Sequence, residues 1–262
     1  MIRILIEKTA WPMTPPLPWS VFHLVFLLLG SFGSIALARF LYPPRALREA
    51  LPPRQRDCPD PGRLLLLCGV CLAAGEIYKQ LFLYLIVNEG SYDWWYFPFQ
   101  LCSTPMYLCL IFPFLPRGKV RDAVSVYLQS FGFLGGIMAL LEPSGLMHPY
   151  WTLTLHGLLW HIMLIFIACC CTASGLTSQK SSGILPALPL FFLFCLMAMA
   201  VNIFTGGRAD MFYISPYYPV TQVVFHEISI AAGIGPGIAL YLASICAGAY
   251  LSRRLLNFIF RV

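Results

Sequence analysis

Seven stretches of nineteen or more predominantly apolar residues dominate this chain, and the last five of them contain no Asp, Glu, Lys or Arg. A helix rising about 1.5 Å per residue needs about 20 such residues to cross a hydrocarbon layer of ~30 Å. The stretches run from Trp19 to Leu41, Leu64 to Val87, Phe97 to Leu115, Ala123 to Leu141, Thr152 to Thr172, Ile184 to Phe204 and Ile228 to Leu251. They lack the period-3.6 or period-2 alternation of an element with one face in water, so the bilayer is their solvent. With 59% hydrophobic and 11% charged residues, against ~25% charged in an ordinary soluble domain, a soluble globule is excluded. The expectation is an all-α, polytopic membrane protein: one domain over residues 1–262, a bundle of about seven transmembrane helices. In the third stretch Pro98, Pro105 and Pro113 interrupt the pattern.

Basic residues set the expected orientation. Arg39, Arg45, Arg48, Arg54, Arg56, Arg63, Arg117, Lys119, Arg121, Lys180, Arg253, Arg254 and Arg261 fall on one side, thirteen of the seventeen Lys and Arg. Arg3, Lys8 and Arg208 fall on the other, and Lys79 lies within a span. The N-terminus is therefore expected outside, or in a lumen, and the C-terminus in the cytosol. Met1 to Ala10 carries Arg3, Glu7 and Lys8 with no short apolar core, so no cleaved signal peptide is expected. The basic residues behind the net charge of +6 sit in short loops at the membrane edge and not on a separate soluble domain, which fits anionic lipid headgroups better than nucleic acid, and no nucleic-acid partner is expected. The proline-rich connection from Tyr42 to Gly62 reads as an extended, poorly packed segment.

Ten cysteines are present, none in the loops expected outside, so an external disulfide framework is not expected. Cys68-Gly-Val-Cys71 has redox or metal-pair spacing but no second pair and no nearby His; small-residue helix packing is the better reading. Cys169, Cys170 and Cys171 read as packing, with palmitoylation as the alternative. No zinc, phosphate-loop, dinucleotide or serine-elbow signature occurs at a useful spacing; Gly233-Ile-Gly235-Pro-Gly237 lies in an apolar helix start without a preceding strand. Neither a metal nor a cofactor is expected.

Polar side chains inside a bilayer are costly, so their distribution points to function. Glu76 and Lys79, three residues apart near the middle of the second span, share a helical face and form either a structural ion pair or a relay. The ends expected to face outward collect the rest: Gln100, Cys102 and Ser103 in the third span, Glu142, His148, His156, Asn202, Arg208, Asp210, His226 and Glu227. This clustering predicts a polar cavity opening away from the cytosol, ordinary snorkelling at helix ends being the alternative. Within it Cys102 is best suited to covalent chemistry. Pro98 as the first helical residue would place Cys102 one turn inside a helix N-terminus, where the dipole favours thiolate, and Pro105 would strip the Leu101 carbonyl of its donor. His156 would be its base, with Glu142 or Asn202 orienting the imidazole. His161, five residues further on, is expected on another face. Cys102 as a plain packing residue is the competing reading.

Four segments, in order over about Tyr92 to Pro219, carry a resemblance: Tyr96-Phe-Pro-Phe-Gln-Leu-Cys-Ser103, Ala139-Leu-Leu-Glu-Pro143, Leu155-His-Gly-Leu-Leu-Trp-His161, and Val201-Asn-Ile-Phe-Thr-Gly-Gly207 with Asp210-Met-Phe-Tyr-Ile214. Together they resemble the YwaF-type family of integral membrane proteins, related to eukaryotic transmembrane acyltransferases that remodel ether phospholipids. The resemblance implies a multi-span helical bundle and a cysteine that carries an acyl group between phospholipids. Residue by residue, it implies Cys102 as nucleophile and His156 as its histidine. Gln100 departs from the family, which often has a histidine two positions before its cysteine; Arg208 and Asp210 also stand where an amide and an aromatic residue are expected.

The leading expectation is a membrane-embedded lipid acyltransferase or acyl hydrolase acting on membrane phospholipids, with Gln100 or Asn202 donating to the oxyanion. Two other classes remain: a transporter or permeation pathway using Glu76, Lys79 and the outer cavity, with Gly132, Gly135 and Gly136, or Gly233, Gly235, Pro236 and Gly237, as mobile breaks, and a non-catalytic membrane binding protein anchored by Tyr92 to Phe99. The bacterial cytoplasmic membrane is the expected location, an endomembrane the alternative.

Overall fold

The computed structural model describes residues 2–50, 57–177 and 183–260. Arg54, Arg56, Lys180 and Arg261 lie outside the described residues, and of Arg45 only the backbone is described. Among the described residues the regular structure is helical, and six helices are long and apolar enough to cross a membrane. After a short α1 (Ile2–Glu7), the first of these is α2 (Val21–Leu41), which opens on a Ser20 cap whose hydroxyl accepts from the His23 amide. It leads through α3 (Arg45–Ala50) to α4 (Pro61–Phe82), extended by a π-turn to Val87. Asp60 caps α4 by accepting from the Arg63 amide at 2.8 Å, and Pro61 occupies the first turn, where a missing N–H costs nothing. The connection expected to be extended thus contains a helix, and Tyr42 at its start is buried.

The third stretch departs most from expectation. Only α5 (Thr104–Ile111) and one further 3-10 turn at Phe112–Phe114 are helical towards its end, preceded by a 3-10 turn at Trp94–Tyr96 and an irregular stretch. Eleven helical residues cover about 16 Å, roughly half a bilayer core. Contacts nevertheless carry the segment along α4. The Gln80 amide reaches the Tyr96 carbonyl at 2.6 Å, a Cβ on Gly69 would lie 2.9 Å from the Leu110 amide nitrogen, and Phe112 faces Gly62. Prolines explain the division: Pro98 and Pro105 allow no continuous ladder above α5, and Pro113 ends it. Irregular backbone at membrane depth survives only where protein or a cavity surrounds it, and this stretch has both.

The fourth span comprises α6 (Lys119–Tyr127), a π-turn (Leu128–Gly132) and α7 (Phe133–Leu141). The fifth is α8 (Trp151–Ala173) and the sixth α9 (Leu188–Phe204), entered by a 3-10 turn from Leu185. The last window, expected at Ile228 to Leu251, is broken: α10 (Val223–Ala232) stops at Gly233, whose φ of 98° no L side chain favours, and α11 (Ile234–Phe260) starts afresh. Phe225 and Tyr241, each eight residues from Gly233, meet edge to face, so α10 folds back along α11.

α8 is the hub, packing on α2, α4, α7 and α11. Two-thirds of the most apolar window is buried in α8 and in the fourth span, against 17% to 33% in the other four. Gly136 lets α7 approach it: a Cβ there would lie 2.9 Å from the His161 carbonyl oxygen. Cys169, Cys170 and Cys171 are all buried in this core, as packing residues.

Candidate functional site

A cavity of about 170 Å³ lies between α4, the irregular stretch before α5, the turn after α7, and α8. Cys102 and Ser103 enter it from the turn that precedes α5, closed by the Ser103 amide donating to the Gln100 carbonyl at 2.8 Å. Cys102 therefore sits just outside a helix N-terminus, two residues before Thr104, and not one turn inside it. The carbonyl of Leu101, which Pro105 cannot serve, takes the Thr104 hydroxyl at 2.9 Å, so it has a donor after all. Gly135 of α7 lies against the Cys102 backbone, where a Cβ would come 3.6 Å from its Cα.

From α8 come His156, Trp160 and His161. Trp160 donates its indole N–H to the Cys102 carbonyl at 3.0 Å, and His156, one turn earlier, packs its ring 5.5 Å from the indole. Gly75 of α4 makes room for the imidazole: a Cβ there would stand 3.4 Å from Nε2. That Nε2 is buried and has no hydrogen-bond partner. His161 lines the same cavity despite its offset of about 500° of helix rotation, because the cavity is wide enough to take side chains from both sides of the Trp160 position. Its Nδ1 is tied to the Gly157 carbonyl at 2.7 Å.

Glu76 and Lys79 form the expected ion pair, 2.8 Å between Nζ and Oε1, and both line the cavity. Gln80 adds its amide to the same Glu76 oxygen at 2.7 Å. Lys79 and Glu76 are also the charged groups that act electrostatically on Cys102. His148, on the loop after α7, completes the ring; burial, with Lys79 beside it, holds its pKa below the ordinary histidine value.

The other polar residues of the cluster do a different job. Gln100 lines the cavity but spends its amide on the loop after α9, donating to the Asp210 carbonyl and accepting from the Phe212 amide, both at 2.8 Å. Asn202 grips the next residue, accepting from the Met211 amide at 2.6 Å and donating to its carbonyl at 3.0 Å. Each amide thus has its oxygen and one N–H engaged by this loop, and Asn202 is not at the cavity. Phe212 and Tyr213 have φ of 58° and 55°, a strained pair that these two amides hold in place. The carboxylate of Asp210, 1% exposed, accepts from the Ser215 amide and the Thr221 hydroxyl, and burial raises its pKa. Arg208 donates to the Thr205 carbonyl. Glu142 is exposed and caps the turn at Pro143, so it does not orient His156. His226 and Glu227 belong to α10, where His226 contacts the Val220 carbonyl.

Trp160 is the site residue that sequence reasoning passed over; its place four residues after His156, on one helix face, is the signal that could have found it. Tyr213, brought in by the loop that Gln100 holds, was marked only by its place in the Asp210–Ile214 segment of the resemblance.

A model of the TMEM164 family matches residues 15–246, nearly the whole chain. The chain belongs to this family. As a member of the TMEM164 family it is an integral, multi-pass membrane protein, and every residue lining the cavity lies within the matched region. No curated protein and no solved structure matches it.

Proposed function

We propose that this cavity transfers acyl groups between membrane phospholipids, or from them to water, through a thioester on Cys102. The observation that carries the reading is one cavity lined by a thiol from the turn before α5 and by an imidazole from α8 whose Nε2 is buried and unpartnered. An orphaned nitrogen at that depth costs free energy that a structural histidine would recover by pairing. A general base needs that lone pair open.

The steps follow from the residues. Cys102 gives its proton to His156 as the sulfur attacks the ester carbonyl of a phospholipid; the carbon–oxygen bond to the lysophospholipid breaks, and His156 returns the proton to the departing alkoxide. The reverse sequence, with a second lysophospholipid hydroxyl or a water as attacking group, regenerates the thiol. Lys79, Ser103 and the second N–H of Gln100 are donors at the cavity for the developing oxyanion, whereas Asn202 does not line it. The basic residues concentrated at the opposite end of the bundle favour a cavity on the non-cytosolic side.

In vesicles reconstituted with the protein, a phospholipid labelled in one acyl chain and an unlabelled lysophospholipid, label should move between them, and a labelled thioester should be trapped on Cys102 in denaturant. Cys102→Ala should lower the exchange rate at least about 10³-fold. An unchanged rate in that variant would dispose of the proposal.

A further inference from the structure

A second polar pocket, of about 390 Å³, lies at the far end of the bundle from the thiol cavity. Tyr42 enters it just after α2, Asp60 just before α4, and Ser174 just after α8, so three spans end around it. Where spanning helices end is the depth of phospholipid headgroups. Two of its hydroxyls are unaccounted for. Tyr42 is 6% exposed, and its phenol oxygen is buried without a hydrogen-bond partner; the Ser174 oxygen is likewise buried and unpaired. A buried hydroxyl left unpaired is destabilising, so two in one pocket call for a common acceptor. Burial raises the Tyr42 pKa above the usual phenol value, which keeps its O–H a donor.

Arg48 of α3 supplies the charge. Its guanidinium lines the pocket and makes a long 3.9 Å contact to the Cys58 sulfur, a weak acceptor that leaves most of its five N–H donors for something better. Asp60, the carboxylate in the lining, is turned to the α4 cap through the Arg63 amide. The remaining chemistry, a forked cation and two neutral O–H donors, matches a phosphate, which accepts several charge-assisted hydrogen bonds at once. We propose that this pocket binds the phosphate of an anionic lipid headgroup, held by Arg48 and the Tyr42 and Ser174 hydroxyls. A lipid is favoured over soluble phosphate because three spans deliver the pocket to the membrane edge, where anionic lipid is concentrated. The inference is independent of the chemistry proposed at Cys102.

The test uses the purified full chain in neutral detergent and reads its thermal unfolding midpoint, since a ligand of the folded state raises it by mass action. Dioctanoyl phosphatidylglycerol should raise the midpoint saturably; dioctanoylglycerol, which lacks the phosphate, should not, and inorganic phosphate should need a far higher concentration. Tyr42→Phe and Ser174→Ala, which keep the packing, should each weaken lipid binding about tenfold, and Arg48→Gln more. Arg254→Gln, an exposed basic residue on the last turns of α11, should change nothing. Wild-type affinity in both hydroxyl variants would overturn the proposal by showing the hydroxyls to be merely hydrated. So would equal losses in Arg48→Gln and Arg254→Gln, which would mean diffuse attraction only. Inorganic phosphate binding as tightly as the lipid would overturn the lipid source.

Discussion

Two buried polar clusters lie inside this bundle, and they are finished differently. In one, on the fourth span, Gln129 donates to Thr172 at 2.9 Å and to Asn257 at 2.8 Å and accepts from Arg253; Thr172 in turn donates to the Ala168 carbonyl. Gln129 and Thr172 have no exposed surface, and the π-turn at Leu128–Gly132 carries Gln129 into the contact between α8 and α11. Both the donor and the acceptor of its amide are used. In the other, around Cys102, the side chains surround a cavity and the His156 Nε2 is left open. A saturated network in hydrocarbon fixes the register of helices; an unsaturated one that pays for an empty acceptor is poised for a reactant. The contrast predicts that substitutions in the first cluster damage the fold, and those in the second the chemistry.

After the loss of the thiol itself, the largest effect should come from the open acceptor. His156→Gln keeps a side chain of similar size but cannot take a proton at neutral pH, so acyl exchange should fall by about 10²–10⁴-fold while the unfolding midpoint holds. A stable, fully active His156→Gln protein would erase the distinction between the clusters. Gln129→Leu should do the reverse. It strips the Arg253 guanidinium of one acceptor, at about 2 kcal/mol, and lowers the midpoint; acyl exchange per folded molecule should stay within twofold. Loss of exchange without loss of stability there would place Gln129 in the machinery after all.

How much of this could be read in the chain beforehand depends on the range of the interaction. The apolar windows need only local counting, and α2 and α8 begin and end within two residues of their expected bounds. That Cys102, His156, Gln100, Ser103 and His148 share one end was legible, because depth follows from position along a span; that Glu76 and Lys79, expected apart near the middle of theirs, line the same cavity was not. Two failures were local signals given too little weight. Three prolines shortened the third helix, and Gly233 beside Gly235-Pro-Gly237 broke the last one, where a continuous apolar window had been counted. The roles of Gln100 and Asn202 were beyond reach. Each is decided by a backbone group of residues 210–212; for Gln100 these are more than a hundred positions away, and for Asn202 they sit in a strained loop no period describes.

A smaller effect would sharpen the boundary between the two kinds of residue. Trp160 touches the thiol segment through one hydrogen bond, to the Cys102 carbonyl, and otherwise fills the core as a ring. Trp160→Phe removes the N–H and keeps most of the packing. Hydrogen bonds between membrane helices average about 0.6 kcal/mol, so the midpoint should barely move. Exchange should drop several-fold if the bond positions Cys102, with the fall in kcat and KM unchanged. A proportional loss of stability and rate would make Trp160 a packing residue alone.

The smallest effect concerns pH and His148, which lies outside the spans on the loop after α7, half buried and facing Lys79 across the cavity. Its pKa in the folded protein is depressed, first by burial and then by that ammonium, so the fold holds it neutral. The sign follows. Above the ordinary histidine value of about 6.5 both folded and unfolded chains carry the neutral ring, and the stability is fully present. As the pH falls through that value the unfolded chain takes up a proton the folded one refuses, and stability is lost until the folded pKa is passed. Unfolding midpoints should therefore decline from pH 7 to pH 5, and His148→Gln should flatten that decline slightly while leaving the plateau above pH 7 in place. An identical slope in the variant would mean that the loop opens to solvent on protonation and that the cavity wall at His148 is softer than the α8 side of the same site.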